Sequence, residues 1–147
     1  CAVAEAAGAH LSIDSDTPDP KAAFKALGGV DVVYDAVGGA AGEAALSALR
    51  PEGRFLAIGF ASGQVPQIRA NHLLVKNLSV IGLWWGGYLN FAPEVLDASL
   101  RQLLDWYAEG ALRPHVSDTL PFAALPEALD RLAARASTGK LVISLQP

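Results

Sequence analysis

Apolar positions in this chain come in short bursts with two different spacings. Val30–Val37 (VDVVYDAV), Arg54–Phe60 (RFLAIGF) and Leu78–Trp85 (LSVIGLWW) are nearly continuous apolar runs, rich in β-branched and aromatic residues. That is the pattern of strands buried on both faces of a parallel sheet. His10–Asp14 (HLSID) is shorter and mixed, and reads as a further strand. Between these runs lie Lys21–Leu27, ending at Gly28-Gly29, then Gly42–Leu49, stopped by Pro51 and Gly53, and then His72–Lys76. Each reads as a short helix. Strand alternating with helix predicts right-handed βαβ crossovers and a sheet covered on both sides, so the fold class is α/β.

From Pro93 the texture changes. Pro93 suits a helix start, and Leu96, Leu100, Leu103, Leu104 and Tyr107 follow at helical spacing until Gly110. Leu112–Phe122 reads as extended. Pro126 then opens a helix that aligns Leu125, Leu129, Leu132 and Ala136, and Gly139–Leu145 (GKLVISL) closes the chain as a strand. The break at Asn90–Pro93 divides the chain into regions 1–89 and 90–147. At the other end, CAVAEAAGAH reads as the back half of a helix, with Gly8 as its stop and no capping residue in front. A helix with an end and no beginning is the expectation for a piece of a longer protein.

Composition narrows the possibilities. Of the 147 residues, 52% are hydrophobic and 18% charged, too apolar a mixture for a disordered chain. Eleven Lys and Arg against fifteen Asp and Glu give a net charge of −4 without a basic stripe, which argues against a nucleic-acid partner. No apolar run approaches the roughly 18 residues of a membrane helix, so no membrane partner is expected. The lone Cys1 offers no internal disulfide, which fits a reducing, cytoplasmic setting.

Ligands in open parallel sheets sit beyond the carboxyl ends of the strands. That rule selects Asp35–Gly39, Gly59–Gly63 and Leu83–Gly87, each with glycines that let a flat ligand approach the main chain. The plainer reading, that glycines merely turn strands into loops, weighs equally. No GxGxxG or GxxxxGK[ST] loop is present to cradle phosphates. His10, His72 and His115 lack metal-binding spacing. Tyr34 and Asp35 are strand neighbours that point to opposite faces, so Asp35 reads as a strand-end polar residue rather than half of an acid–base pair. Ser62 has no nucleophile elbow around it. Arg69 and Lys76 read as solvated, and Trp84 and Trp85 suit stacking on a ligand and interface packing equally.

Several blocks together carry a resemblance: AAGAHLSID at 6–14, GVDVVYDAVGG at 29–39, LRPEGRFLAIGFASG at 49–63 and NHLLVKNLSVIGLWWGG at 71–87. GALRPHVSDTLPF at 110–122 and ALPEALDRLAARASTGKLVI at 124–143 complete it. In their order and spacing the chain resembles the C-terminal half of the medium-chain dehydrogenase/reductase superfamily, and within it the zinc-independent quinone oxidoreductase branch.

The resemblance implies a partial Rossmann-like parallel sheet, strands 3 to 6 of the doubly wound order, followed by a helix-strand-helix-strand segment that returns to a catalytic domain. It implies NADPH, less readily NADH, as cofactor, and hydride transfer to a quinone or an α,β-unsaturated carbonyl. Val37 and Gly38 would border the adenosine half. Ile58, Gly59, Phe60 and Ser62 would lie along the nicotinamide side, with the backbone at Leu83 and Trp85 on the carboxamide and Lys140 near the phosphates. It further implies a homodimer through the edge strand at 78–83, an unpaired edge on Val30–Val37, and a chain that is inactive alone. Two other readings stay open: a piece of a zinc-dependent alcohol dehydrogenase, and a non-catalytic α/β module that dimerises.

Overall fold

The structure, a computed structural model, describes residues 1–14 and 17–145. The chain divides into two compact units, Cys1–Leu96 and Asp97–Pro147.

The first unit begins with helix α1 (Ala2–Ala6), which ends where Gly8 turns to φ +103°. The amides of Gly8 and Ala9 close that end on the carbonyls of Glu5 and Ala4. Helix α2 (Pro20–Ala26) starts on Pro20, with the Asp19 side chain accepting from the Ala22 amide at 2.9 Å. Strand β1 (Val30–Asp35), helix α3 (Gly39–Ala48) and strand β2 (Leu49–Ala57) form one βαβ unit; helix α4 (Ala70–Lys76) and strand β3 (Ser79–Gly82) form the next. The sheet order is β1-β2-β3, all parallel.

Register explains which face is buried. Val33, Phe55 and Val80 occupy one row, and Asp35, Ala57 and Gly82 the row two residues on, so all six share a face. Helices α3 and α4 pack there. Leu46, Leu49 and Phe55 are the buried centre, and Val30, Val33, Ala57, Ile68, Leu73 and Leu78 close around them. The intervening rows place Val32, Tyr34 and Ile81 on the other face, and these stay exposed. Among the described residues the sheet is therefore covered on one face.

Two readings are corrected. His10–Asp14 forms no strand. Strand pairing supplies most of what stabilises a short mixed segment, and the outer edge of β1 carries no partner among the described residues. Pro51 and Gly53, read as the stop of the helix before them, lie inside β2. Pairing jumps from Val30–Leu49 to Val32–Arg54, so residues 50–53 are an irregular excursion within the strand, with Glu52 at φ +64°.

Helix α5 (Tyr88–Phe91) follows a short 3₁₀ turn at Trp85–Gly87, and α6 (Pro93–Ala108) runs across the division between the units. In the second unit, β4 (Val116–Pro121), α7 (Leu125–Ala133) and β5 (Lys140–Ser144) make a parallel two-stranded sheet with its crossover helix. Arg131 of α7 bridges to Asp118 of β4 at 3.0 Å. On α6, a hydrogen bond from Arg101 to Asp97 one turn away raises the guanidinium pKa above its ordinary value.

Candidate functional site

The carboxyl ends of β1, β2 and β3 lie side by side because the strands are parallel and in register. Asp35 organises the first two. Its main-chain carbonyl accepts from the amides of Ile58 at 2.8 Å and Gly59 at 3.3 Å, just past the end of β2. Its side-chain Oδ1 accepts from the amides of Val37 and Gly38, both at 2.9 Å. One residue thus holds four amides drawn from two successive strand ends. The side chain is buried because the register puts Asp35 on the helix-covered face. A Cβ at Gly42 would come 2.5 Å from Oδ2, which accounts for glycine at that position in α3.

The turn that follows depends on glycine. Gly38 has φ +74° and ψ −158°, a region open essentially to glycine alone, and a Cβ there would meet the Gln64 carbonyl at 2.5 Å. The Ser62 hydroxyl donates to the Val37 carbonyl at 2.7 Å, the Ser62 amide donates to it at 3.0 Å, and the Gly39 amide donates to the Gln64 carbonyl at 2.9 Å. Loop 58–64 is therefore laced onto loop 35–39. At the third strand, the Leu83 amide donates to the Ala57 carbonyl at 3.0 Å, tying the end of β3 to the end of β2.

A cleft of about 590 Å³ opens at these ends, lined by Ala57, Ile58, Gly59 and Phe60, by Gly82, Leu83 and Trp84, and by Tyr88 and Phe91. No charged side chain lines it. Gly59 and Gly82 leave space over the main chain: the nearest atom to a Cβ at Gly59 would be 3.4 Å away, and at Gly82 none lies within 4 Å. Aromatic rings supply the opposite wall, with the Tyr88 and Phe91 centroids 4.8 Å apart. Such a lining suits a flat, neutral ring rather than a phosphate.

Of the residues singled out from sequence, Ile58, Gly59, Phe60 and Leu83 line the cleft, and Val37, Gly38 and Ser62 form the laced turns beside it. Trp85 lies in the 3₁₀ turn and is not a lining residue; its neighbour Trp84 is. Lys140 lies on β5 in the second unit. Its amide donates to the His115 carbonyl at 3.0 Å and the residue is exposed. Sequence reasoning passed over Asp35 as a hub, and Tyr88 and Phe91 as lining. A signal for the latter was present: Trp84, Tyr88 and Phe91 recur at i, i+4 and i+7, the spacing of one helix face.

A family model described as zinc-binding dehydrogenase matches residues 7–143. The chain belongs to this family, within the medium-chain dehydrogenase/reductase superfamily. It is 37% identical over 149 aligned positions to quinone oxidoreductase-like protein 2 of Bos taurus, covering 99% of this chain and 43% of that protein. The chain thus spans less than half the length of that relative. Quinone oxidoreductase from Pseudomonas syringae pv. tomato superposes with a TM-score of 0.76 at 27% identity, over 97% of this chain and 45% of that one. Quinone oxidoreductase from Thermus thermophilus, solved also as its complex with NADPH, gives 0.65 at 33% identity, over 84% and 40%. These place the chain in the quinone oxidoreductase branch.

Despite the family's description, no group of three or more His, Cys, Asp or Glu among the described residues is placed to hold a metal ion. No helix among them is long and apolar enough to cross a membrane.

Proposed function

We propose that the cleft at the ends of β2 and β3 holds the nicotinamide ring of NADPH, and that the whole protein is a cytoplasmic, NADPH-dependent reductase of quinones or α,β-unsaturated carbonyls. The single observation that carries this reading is the cleft itself: charge-free, glycine-floored, aromatic-walled, and set at the carboxyl ends of parallel strands. When bound, the reduced ring supplies a hydride.

The chain's own residues supply position. Gly59 and Gly82 let the ring lie against the main chain, the Leu83 carbonyl accepts from the carboxamide, and Trp84, Tyr88 and Phe91 offer aromatic surface beside it. Holding donor and acceptor in one dry geometry is the main contribution a protein makes to such chemistry. Val37 and Gly38, fixed by Asp35, border the adenosine half. NADPH is preferred over NADH in this reading because the Thermus thermophilus relative was solved with NADPH. The 147-residue chain binds the dinucleotide weakly and does not turn over quinone alone, since the described residues provide no phosphate-cradling loop. Two copies pair through the exposed edge of β3.

The test is an amide NMR titration of the chain with NADPH and, in parallel, NADH. Shifts at Val37, Gly38, 58–62 and Leu83, stronger with NADPH and reduced by Gly82→Leu, are expected. Shifts elsewhere would overturn the site, and quinone turnover by this chain would overturn its inactivity. Ile81→Lys should convert a dimer to monomer in analytical ultracentrifugation; an unchanged sedimentation coefficient would rule out the β3 edge.

A further inference from the structure

A second, chemically opposite surface is built by α2, α3 and α4. Lys21 and Lys25 stand one turn apart on α2, while Arg69, His72 and Lys76 follow at i, i+3 and i+7 and so share one face at α4. Two adjoining clefts of about 250 and 360 Å³ open there, sharing Lys21, Leu46, Ser47 and His72. Among the basic residues of Cys1–Leu96, Lys21, Lys25, Arg69 and Lys76 line these clefts and only Arg50 and Arg54 do not. In a protein of net charge −4, this is a concentrated patch of the opposite sign.

None of these four cations is spent on an acid among the described residues. Among the described residues, Lys21, Lys25 and Arg69 make no ion pair, whereas Arg50 is paired with Asp31. Glu43 is the one acid in the lining, and its Oε1 is occupied by the Gln67 amide at 2.8 Å. Lys76 is partly buried, its ammonium donating to the carbonyls of Leu49 at 2.7 Å and Ser47 at 3.2 Å at the end of α3. Two of its three N–H groups are thereby fixed and the third remains for a ligand. Like charges gathered this closely repel one another, and a bound anion relieves that repulsion.

We propose that these joined clefts are a binding site for a small polyphosphate anion. Two cation-lined clefts with common residues favour a ligand carrying charge at both ends over a single phosphate. Their volumes match a small molecule. The site is independent of the nicotinamide reading, since it uses none of the strand-end residues.

The experiment is an amide NMR titration of the ¹⁵N-labelled chain with sodium tripolyphosphate, against sodium chloride at equal ionic strength. Saturable shifts at Lys21–Lys25, Ser47 and Arg69–Lys76, with Val37, Gly38 and 58–62 unmoved, are expected. The double variant Lys21→Glu/Lys25→Glu, at two exposed positions, should weaken binding roughly tenfold, and rising salt should weaken it further. A milder pair, Lys21→Ala/Lys25→Ala, should give an intermediate loss and guards against misfolding of the reversal. Equal shifts with chloride, shifts confined to the strand ends, or unchanged affinity in both variants would each overturn the proposal. Saturation by a polyglutamate peptide without any response to tripolyphosphate would overturn it in favour of an acidic protein partner.

Discussion

The two units use the same vocabulary, parallel strands joined by a helix, and reach opposite results. In Cys1–Leu96, β2 has a strand on each side and helices over it, and Phe55 and Leu49 are 0% and 1% exposed. In Asp97–Pro147, β4 and β5 are both edges, and among the described hydrophobic residues Ala128 alone is buried. The apolar stripe of α6 includes Leu104 and Tyr107, 66% and 61% exposed, and α7 has Leu129 at 56%. Hydrophobic spacing says which face of an element is apolar. Whether that face is buried depends on having a central strand for it to cover.

The contrast can be broken most forcefully at its strong end. Phe55→Ala empties the middle of the first unit and should cost about 3–5 kcal/mol, enough to abolish a cooperative melt by circular dichroism. Gly38→Ala should come next, at about 2–3 kcal/mol, because alanine is strained at that φ and ψ and its methyl strikes the Gln64 carbonyl. Asp35→Ala strands the Val37 and Gly38 amides and should cost about 1–3 kcal/mol in denaturant unfolding, whereas Asp35→Asn keeps an acceptor and should retain most of the stability. Smallest of all, Leu132→Ala in the half-exposed stripe of α7 should cost about 1 kcal/mol or less. A Leu132→Ala loss comparable to that of Phe55→Ala would mean that the second unit has a core of its own.

Much of the first unit was legible in the chain because its strands are so apolar. β1, β2 and β3 all fall within or across the three runs read from sequence, and α2, α3 and α4 lie close to their expected spans. What escaped notice depended on three-dimensional partners. His10–Asp14 has the composition of a weak strand but pairs with no strand among the described residues. Pro51 and Gly53 signal a stop, and nothing local reveals that Leu49, on the near side of it, already pairs with Val30 of β1. Of the site, the glycine turns announced themselves, since the positive φ and the close Gln64 carbonyl at Gly38 select for glycine. Asp35 did not, because an aspartate at a strand end looks the same whether it caps one turn or joins two. The aromatic wall was half visible: Trp84 drew attention as part of a pair, while the helical spacing that joins it to Tyr88 and Phe91 went unread.

The hydrogen bonds that meet at Asp35 also limit how this protein can change. Its carbonyl grips the segment after β2 while its carboxylate grips the segment after β1, and the Ser62 hydroxyl and the bare Gly38 fit the two together, so a replacement of either segment has to keep that fit. A transplant of residues 58–64 into another family member would drag on residues 35–39 of the host, and would be accepted only where the matching turn travelled with it. Diversification here should proceed by paired replacements, and chimaeras that cut between the two segments should be the ones that fail.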